Sequence, residues 1–338
     1  MTRYALFALA FLPALVFAAP VPKSTAKPIT TDNADKVRSV SSVERRAYRL
    51  LAGPARGELI AFEHDGPAEV LDEATLKPLR TLAGKQNVTD FAVSRDGKHT
   101  AWLERGSKNY TLATGDKTIQ IEIGQYAGNA AFSPDGKTLA IGHTVWVQNG
   151  PGVNFSEVRL YDLSGKLVRT LEQSGPGGLT LVFSPDGKTL AVGNRNHETK
   201  LFDAATGKLL HALDKKMTQE IAFSPDGKTL AAGYVDGTVG LWEVATGVAT
   251  VAVAAVGYEE VYAVAWNLKG DVLATAGRGG KVILWEPREM KKLKELDAGS
   301  WVIQVRFTSD GSRLLTSSAS DHSAKSDRKI EVWGLGDK

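Results

Sequence analysis

The nine residues FSPDGKTLA occur three times, beginning at Phe132, Phe183 and Phe223, and their central turn recurs in altered form along most of the chain. With Asp-Gly as the marker, copies stand at Asp96, Asp135, Asp186, Asp226 and Asp310, while Lys269-Gly270 fills the same slot in AWNLKGDVLA. Successive intervals are 39, 51, 40, 43 and 41 residues. A period near forty calls for a chain of equivalent supersecondary units, each too small to bury its apolar faces alone.

Each unit has the same internal order. An alternating segment such as QEIAF leads into SPDG, where Pro225 pre-sets the first turn position and Gly227 is free to take positive φ. KTLAAG follows as a second strand, TVGLWEV as a third, ATG as another turn and VATVAVA as a fourth. Four antiparallel strands in about forty residues form one twisted sheet, and copies stacked radially close into a ring. The expected fold is therefore all-β, a seven-bladed β-propeller over residues 36–338. The blades are read at 45–84 (with GPARG in place of the turn), 85–124, 125–174, 175–215, 216–256 and 257–297. The seventh begins near Gly299 and has only three strands of its own. Its missing outer strand is expected from KVRSVSS at 36–42, an N-terminal strand closing the last blade, since an unpaired strand edge invites aggregation.

With 338 residues, 43% of them hydrophobic, the chain is long enough for a large core, and the absence of Cys excludes disulfides and thiolate metal sites. The balance of 41 basic and 38 acidic residues, with no basic tract, argues against nucleic acid as a partner. MTRYALFALAFLPALVFAAP places one Arg before an apolar run ending in small residues, the layout of a signal peptide over 1–18 cleaved after Ala18. The alternative is a retained anchor, although the run is short for a ~20-residue span and Pro13 breaks it. No Cys follows to carry a lipoprotein anchor. Residues 19–35, polar and without apolar period, read as a flexible linker. The expected location is periplasmic or extracellular, as a monomer with no stable membrane span after signal cleavage.

The third strands EVLDE, VRLYDL, TKLFDA, VGLWEV, VILWEP and IEVWGL end on an aromatic residue or Leu, followed in most cases by an acid. In this the chain resembles the WD-repeat (beta-transducin-like) family, in its exported bacterial type. Trp242-Glu243, Trp285-Glu286 and Trp333-Gly334 are the nearest matches, with Tyr161-Asp162 and Phe202-Asp203 as variants. The resemblance implies a propeller that acts mostly as a scaffold. No blade contains a literal Trp-Asp and no Gly-His opens one, so the family's Asp-His-Ser-Trp relay is not carried over. Trp242, Trp285 and Trp333 are expected to pack between blades.

Catalytic signatures are mostly absent. The repeated GKT lacks the Gly of a phosphate-binding loop five residues earlier, where Ala131, Val182 and Ala222 stand. Each Asp-Gly turn offers one carboxylate where calcium takes six to eight oxygens. His99 and His211 are read in strands and His143, His197 and His322 in loops, without metal partners at useful spacing, so neither a metal nor a cofactor is expected.

Two surfaces remain. Four residues before each turn Ser or its equivalent stand Arg49, Asp90, Asn129, Thr180, Glu220 and Gln304, with Ala263 in the sixth blade. Innermost strands line the axial channel, so this column forms either a solvated polar ring or a cradle for a small polar molecule. The other surface is the face of loops joining strand four to strand one and strand two to strand three. There the third blade carries a surplus of about ten residues in GHTVWVQNGPGVNFSE, and Tyr126, Trp146, Phe155, Arg195, Tyr258, Arg278 and Trp301 are placed on this face. Tyr, Trp and Arg dominate interface hot spots. Trp146 and Phe155 either bind a partner or fold back as a hydrophobic cap.

The leading reading is a non-catalytic exported platform for a protein or peptide partner. A propeller enzyme or small-molecule binder of the lactonase kind, using the axial channel, is the rival, and a subunit of an envelope translocation assembly ranks last.

Overall fold

The computed structural model describes residues 26–44, 47–53, 57–63, 67–83, 88–123, 126–146, 154–172, 179–194, 198–254, 260–320 and 328–335. The segment read as a signal peptide lies outside them. Seven four-stranded antiparallel sheets are formed, with one 3-10 turn, Ala34–Lys36, beside them. The chain is an all-β, seven-bladed β-propeller.

Six sheets are consecutive in sequence, over 47–83, 88–122, 126–172, 179–212, 218–254 and 261–297, and close to the expected divisions. Blade seven is composite. Its inner strands are Trp301–Phe307, Arg313–Ala319 and Arg328–Gly334, and its outer strand is Arg38–Glu44. Ser39 pairs with Trp333 and Val43 with Ile330, so the closing strand lies about two residues beyond the 36–42 read from sequence. This pairing joins the two ends of the ring in one sheet.

The hydrophobic interior is divided by junction. Seven clusters of buried side chains exist among the described residues, and each lies between two adjacent blades. Val158 and Leu160 of blade three meet Leu181 and Phe183 of blade four. Leu59 and Leu71 of blade one meet Leu315 and Val332 of blade seven. Each fully buried Leu, Val or Phe is worth about 1.5–3 kcal/mol, so every junction is a small core that neither blade could form alone.

The repeated turn is a hydrogen-bonded knot. In blade five the Ser224 hydroxyl donates to Asp226 Oδ1 (2.6 Å), the same oxygen accepts the Lys228 N–H (3.0 Å), and Ser224 Oγ accepts the Thr229 N–H (3.0 Å). Gly227 takes φ +72°, which only glycine adopts without strain. Ser94–Asp96, Ser133–Asp135 and Ser184–Asp186 repeat the pattern, and Thr308–Asp310 replaces Ser with Thr. The Ser hydroxyl is the main reason that Asp96, Asp135, Asp186 and Asp226 are held below the usual carboxylate range. In blade six Asn267 does the work of the Ser, its Oδ1 accepting the N–H groups of Asp271 and Val272 (3.0 Å each).

The segment read as a flexible linker is docked from Ala26 onward. Ile29 is fully buried, its N–H donates to the Gly311 carbonyl (2.8 Å), and Asn267 Nδ2 donates to its carbonyl (2.9 Å). The Thr31 hydroxyl donates to the Asp271 carbonyl (2.8 Å), and Ala34 and Val37 join the junction of blades six and seven. Three apolar residues without period are too few to signal burial; they are buried because two blades offer a seam that fits them.

Removing residues through Glu44 strips the outer strand from blade seven and leaves the edge of Arg328–Gly334 unpaired. The expected outcome is a melting temperature lower by at least 5 °C with concentration-dependent association, followed by calorimetry and light scattering.

Candidate functional site

In six of the seven blades the innermost strand carries a register shift next to the polar column, as between Val88 and Asp90, Thr218 and Glu220, and Val302 and Gln304. Such a bulge re-aims the neighbouring side chain. Asp90 is only 4% exposed, and its Oδ2 accepts the Tyr110 hydroxyl (2.6 Å) and the backbone N–H of Ala130 in blade three (2.8 Å). Gln304 Oε1 likewise accepts the backbone N–H of Leu50 in blade one. In both cases the acceptor reaches the residue just after the column position of the next blade. At these two junctions the column supplies polar staples between blades, and Asp90, expected in the polar ring, is turned away from the axis into the junction. Thr180 is buried as well. The Arg49 side chain lies outside the described residues.

A cavity of about 610 Å³ occupies the axis, walled by innermost strands of all seven blades and reaching their hairpin turns at Pro185, Pro225, Leu268 and Ser309. Glu220 and Gln304 line it; Asp90, Asn129 and Thr180 do not. The ring that faces it most regularly lies two residues further along each strand: Leu51, Ala92, Ala131, Val182, Ala222, Ala265 and Arg306. Six of the seven are small or apolar, and Arg306 is the exception. Sequence reasoning missed it because it sought polar residues four before the turn Ser. A single Arg in an otherwise apolar column was the available signal.

Beside the turn of blade seven, Glu73 accepts both the N–H (3.0 and 2.9 Å) and the hydroxyl (2.7 Å) of Ser309. Burial pushes its carboxyl upward against these bonds and against nearby Arg306.

On the opposite face a chain of side chains joins three blades. Gln219 Nε2 of blade five donates to Glu260 Oε2 (3.2 Å), Glu260 Oε1 lies 3.8 Å from Arg278 Nη1, and the Arg278 guanidinium stands 4.8 Å from the centre of the Trp301 ring. Gly277 makes this possible: a Cβ there would stand 1.9 Å from the Glu260 carbonyl oxygen. The structure therefore brings together Arg278 and Trp301 of the seven predicted loop-face residues. Arg195 and Tyr258 lie outside the described residues, as do the side chains of Tyr126, Trp146 and Phe155.

The surplus in blade three is partly strand. Thr138–Trp146 and Asn154–Asp162 pair over nine residues, from Thr138 with Asp162 to Trp146 with Asn154, so Trp146 and Phe155 belong to an extended hairpin instead of a loop. Three residues beyond a six-residue strand carry it about 10 Å further toward the loop face.

His143, read as a loop residue, is also on this hairpin and is 1% exposed. Its Nδ1 donates to the Ile123 carbonyl (3.1 Å), so Nε2 faces the Tyr161 hydroxyl (3.4 Å) as acceptor. Burial lowers its pKa to about 4. Other blades fill the same seam differently. Trp285 and Trp333 donate to Thr275 (2.8 Å) and Thr316 (3.0 Å), the Trp–hydroxyl half of the relay that was not carried over from the resemblance. In blade five Trp242 donates to the Tyr234 hydroxyl (3.1 Å), which donates to Asp214.

Comparison with known families fits this geometry. The family model described as WD domain, G-beta repeat matches residues 217–243 and 254–286, which take in the first three strands of blades five and six. The model described as Anaphase-promoting complex subunit 4 WD40 domain matches residues 152–219, across blades three and four. WD40 repeats are therefore present in this part of the ring. No curated protein matches the chain.

Asp90→Ala removes the carboxylate that accepts the Tyr110 hydroxyl and the Ala130 N–H across a blade junction and is expected to cost about 2–3 kcal/mol in urea unfolding. His143 is neutral when folded, so its contribution is complete above about pH 6.5 and is lost as pH falls toward 4. Between pH 7 and 5 the wild type should lose about 2 kcal/mol more than His143→Gln. Subtracting the two profiles isolates the imidazole, because the Glu73 and Asp214 carboxyls, both pushed up by burial, are common to them.

Proposed function

We propose that this propeller is an exported, non-catalytic platform whose loop face engages a protein or peptide partner. WD40 propellers generally bind proteins, and the matched repeats support that reading here. The observation that carries the reading is the Gln219–Glu260–Arg278–Trp301 chain, which sets an indole and a guanidinium at the seam of blades six and seven on one face. Stacking holds both groups in place, so a partner meets a pre-ordered aromatic and cationic pair at small entropic cost. The extended hairpin of blade three stands on the same face and adds a second contact.

The export part of the proposal rests on the N-terminal apolar run. Among the described residues no helix is long and apolar enough to cross a membrane. The lactonase-like alternative draws less support, because among the described residues the cavity lining contains no His and its carboxylates, Glu73 and Glu220, come from blades one and five.

Trp301→Ala and Arg278→Ala should each remove the partner captured by the wild-type ring from envelope extract, identified by mass spectrometry, while shifting the melting temperature by no more than about 2 °C. Capture unchanged in both variants would overturn the reading.

A further inference from the structure

Arg306 sits where an arginine has little reason to be for stability. It lines the axial cavity in the ring whose other six positions hold Leu, Val or Ala, so short side chains leave space for its long arm at the turn end. Its side chain is half-buried and opens onto the cavity, and the surrounding protein pulls its pKa below the usual arginine range. Five N–H donors are carried by a guanidinium. Among the described residues none of them has a hydrogen-bond acceptor, and no carboxylate lies within 4 Å as an ion pair. The nearest opposing charge, Glu73, acts on it through space while its oxygens are taken up by Ser309.

A cation partly withdrawn from bulk water and given no acceptor by the protein contributes little to a fold, and an apolar side chain in its place is often as stable. A retained cation suits a ligand that completes it. A carboxylate offers two acceptors in the geometry of the guanidinium fork. The surrounding wall favours an apolar body, and the volume of about 610 Å³ falls within the range of small-molecule sites. Glu73 and Glu220 put negative charge in the same lining, which disfavours a multiply charged anion such as phosphate.

We infer that the turn-side mouth of the axial cavity is a binding site for a small monocarboxylate with a compact apolar body, held by Arg306. The site lies at the face opposite the Arg278–Trp301 pair and does not depend on the partner proposed for it. A protein partner and a carboxylate are able to occupy the ring together.

The test uses the purified full chain with benzoate and hexanoate as probes, benzamide as the neutral control and inorganic phosphate as the multiply charged one, read by calorimetric titration and thermal shift. Saturable binding of at least one monocarboxylate is expected, with benzamide and phosphate at least tenfold weaker. Arg306→Gln should lose at least tenfold in affinity. Arg306→Leu should melt close to the wild-type temperature, since it removes a guanidinium that makes no hydrogen bond or ion pair with the described residues. Equal binding of benzamide or phosphate, undiminished binding by Arg306→Gln, or no binding of either carboxylate would overturn the assignment. So would a marked fall in the melting temperature of Arg306→Leu, which would make Arg306 a structural arm.

Discussion

A four-stranded sheet with apolar residues on both faces has no stable existence in water until something covers each face, and here each face is covered by the next copy. The seven buried clusters are the direct expression of that constraint, because every one is shared between two neighbouring blades. Stability is therefore distributed around the ring as a series of nearest-neighbour junctions. An open series would leave two uncovered sheets, so the ring closes, and the strand that completes it comes from the other end of the chain.

Polar groups reinforce the same junctions in ways particular to each. Asp90 and Gln304 reach across to backbone N–H groups of the following blade, and Trp266 Nε1 donates to the Ala222 carbonyl of the preceding one (3.1 Å). Within the blades, Trp285 and Trp333 use a Thr hydroxyl, Trp242 uses Tyr234 and Asp214, and Tyr161 uses His143. The buried indole or phenol always finds a partner, as burial demands, but the identity of the partner drifts from blade to blade. This drift is why the repeats depart from the family pattern in sequence while retaining its geometry.

The ring is thus a rigid frame with two unlike ends. On the loop side, Arg278 and Trp301 stand stacked over a seam held by Glu260 and Gln219. On the turn side, the Ser-Asp knots make a stiff rim around a largely apolar cavity into which Arg306 is placed. Because both features are built on packed strands and hydrogen-bonded turns, their side chains are held in position without a ligand.

The blade number, the strand order and the origin of the closing strand were all legible in the sequence. They follow from local rules: alternation, a turn whose Ser, Pro, Asp and Gly act on one another within a few residues, and a period that leaves the last sheet one strand short. The surfaces were less legible. Arg278 and Trp301 were found by residue type and loop position, yet their stacking depends on the closeness that Gly277 allows between two strands of blade six. Asp90 pointed to the axis by strand position, and a bulge turned it into the junction. Ile29 was lost in a polar stretch, and Arg306 in a column whose apolar character stands out only when all seven blades are seen together. Periodicity records what each unit does to itself, whereas burial of a single side chain and the vacancy around a single charge are fixed by neighbours some forty or several hundred residues away, and only the closed ring brings those neighbours into contact.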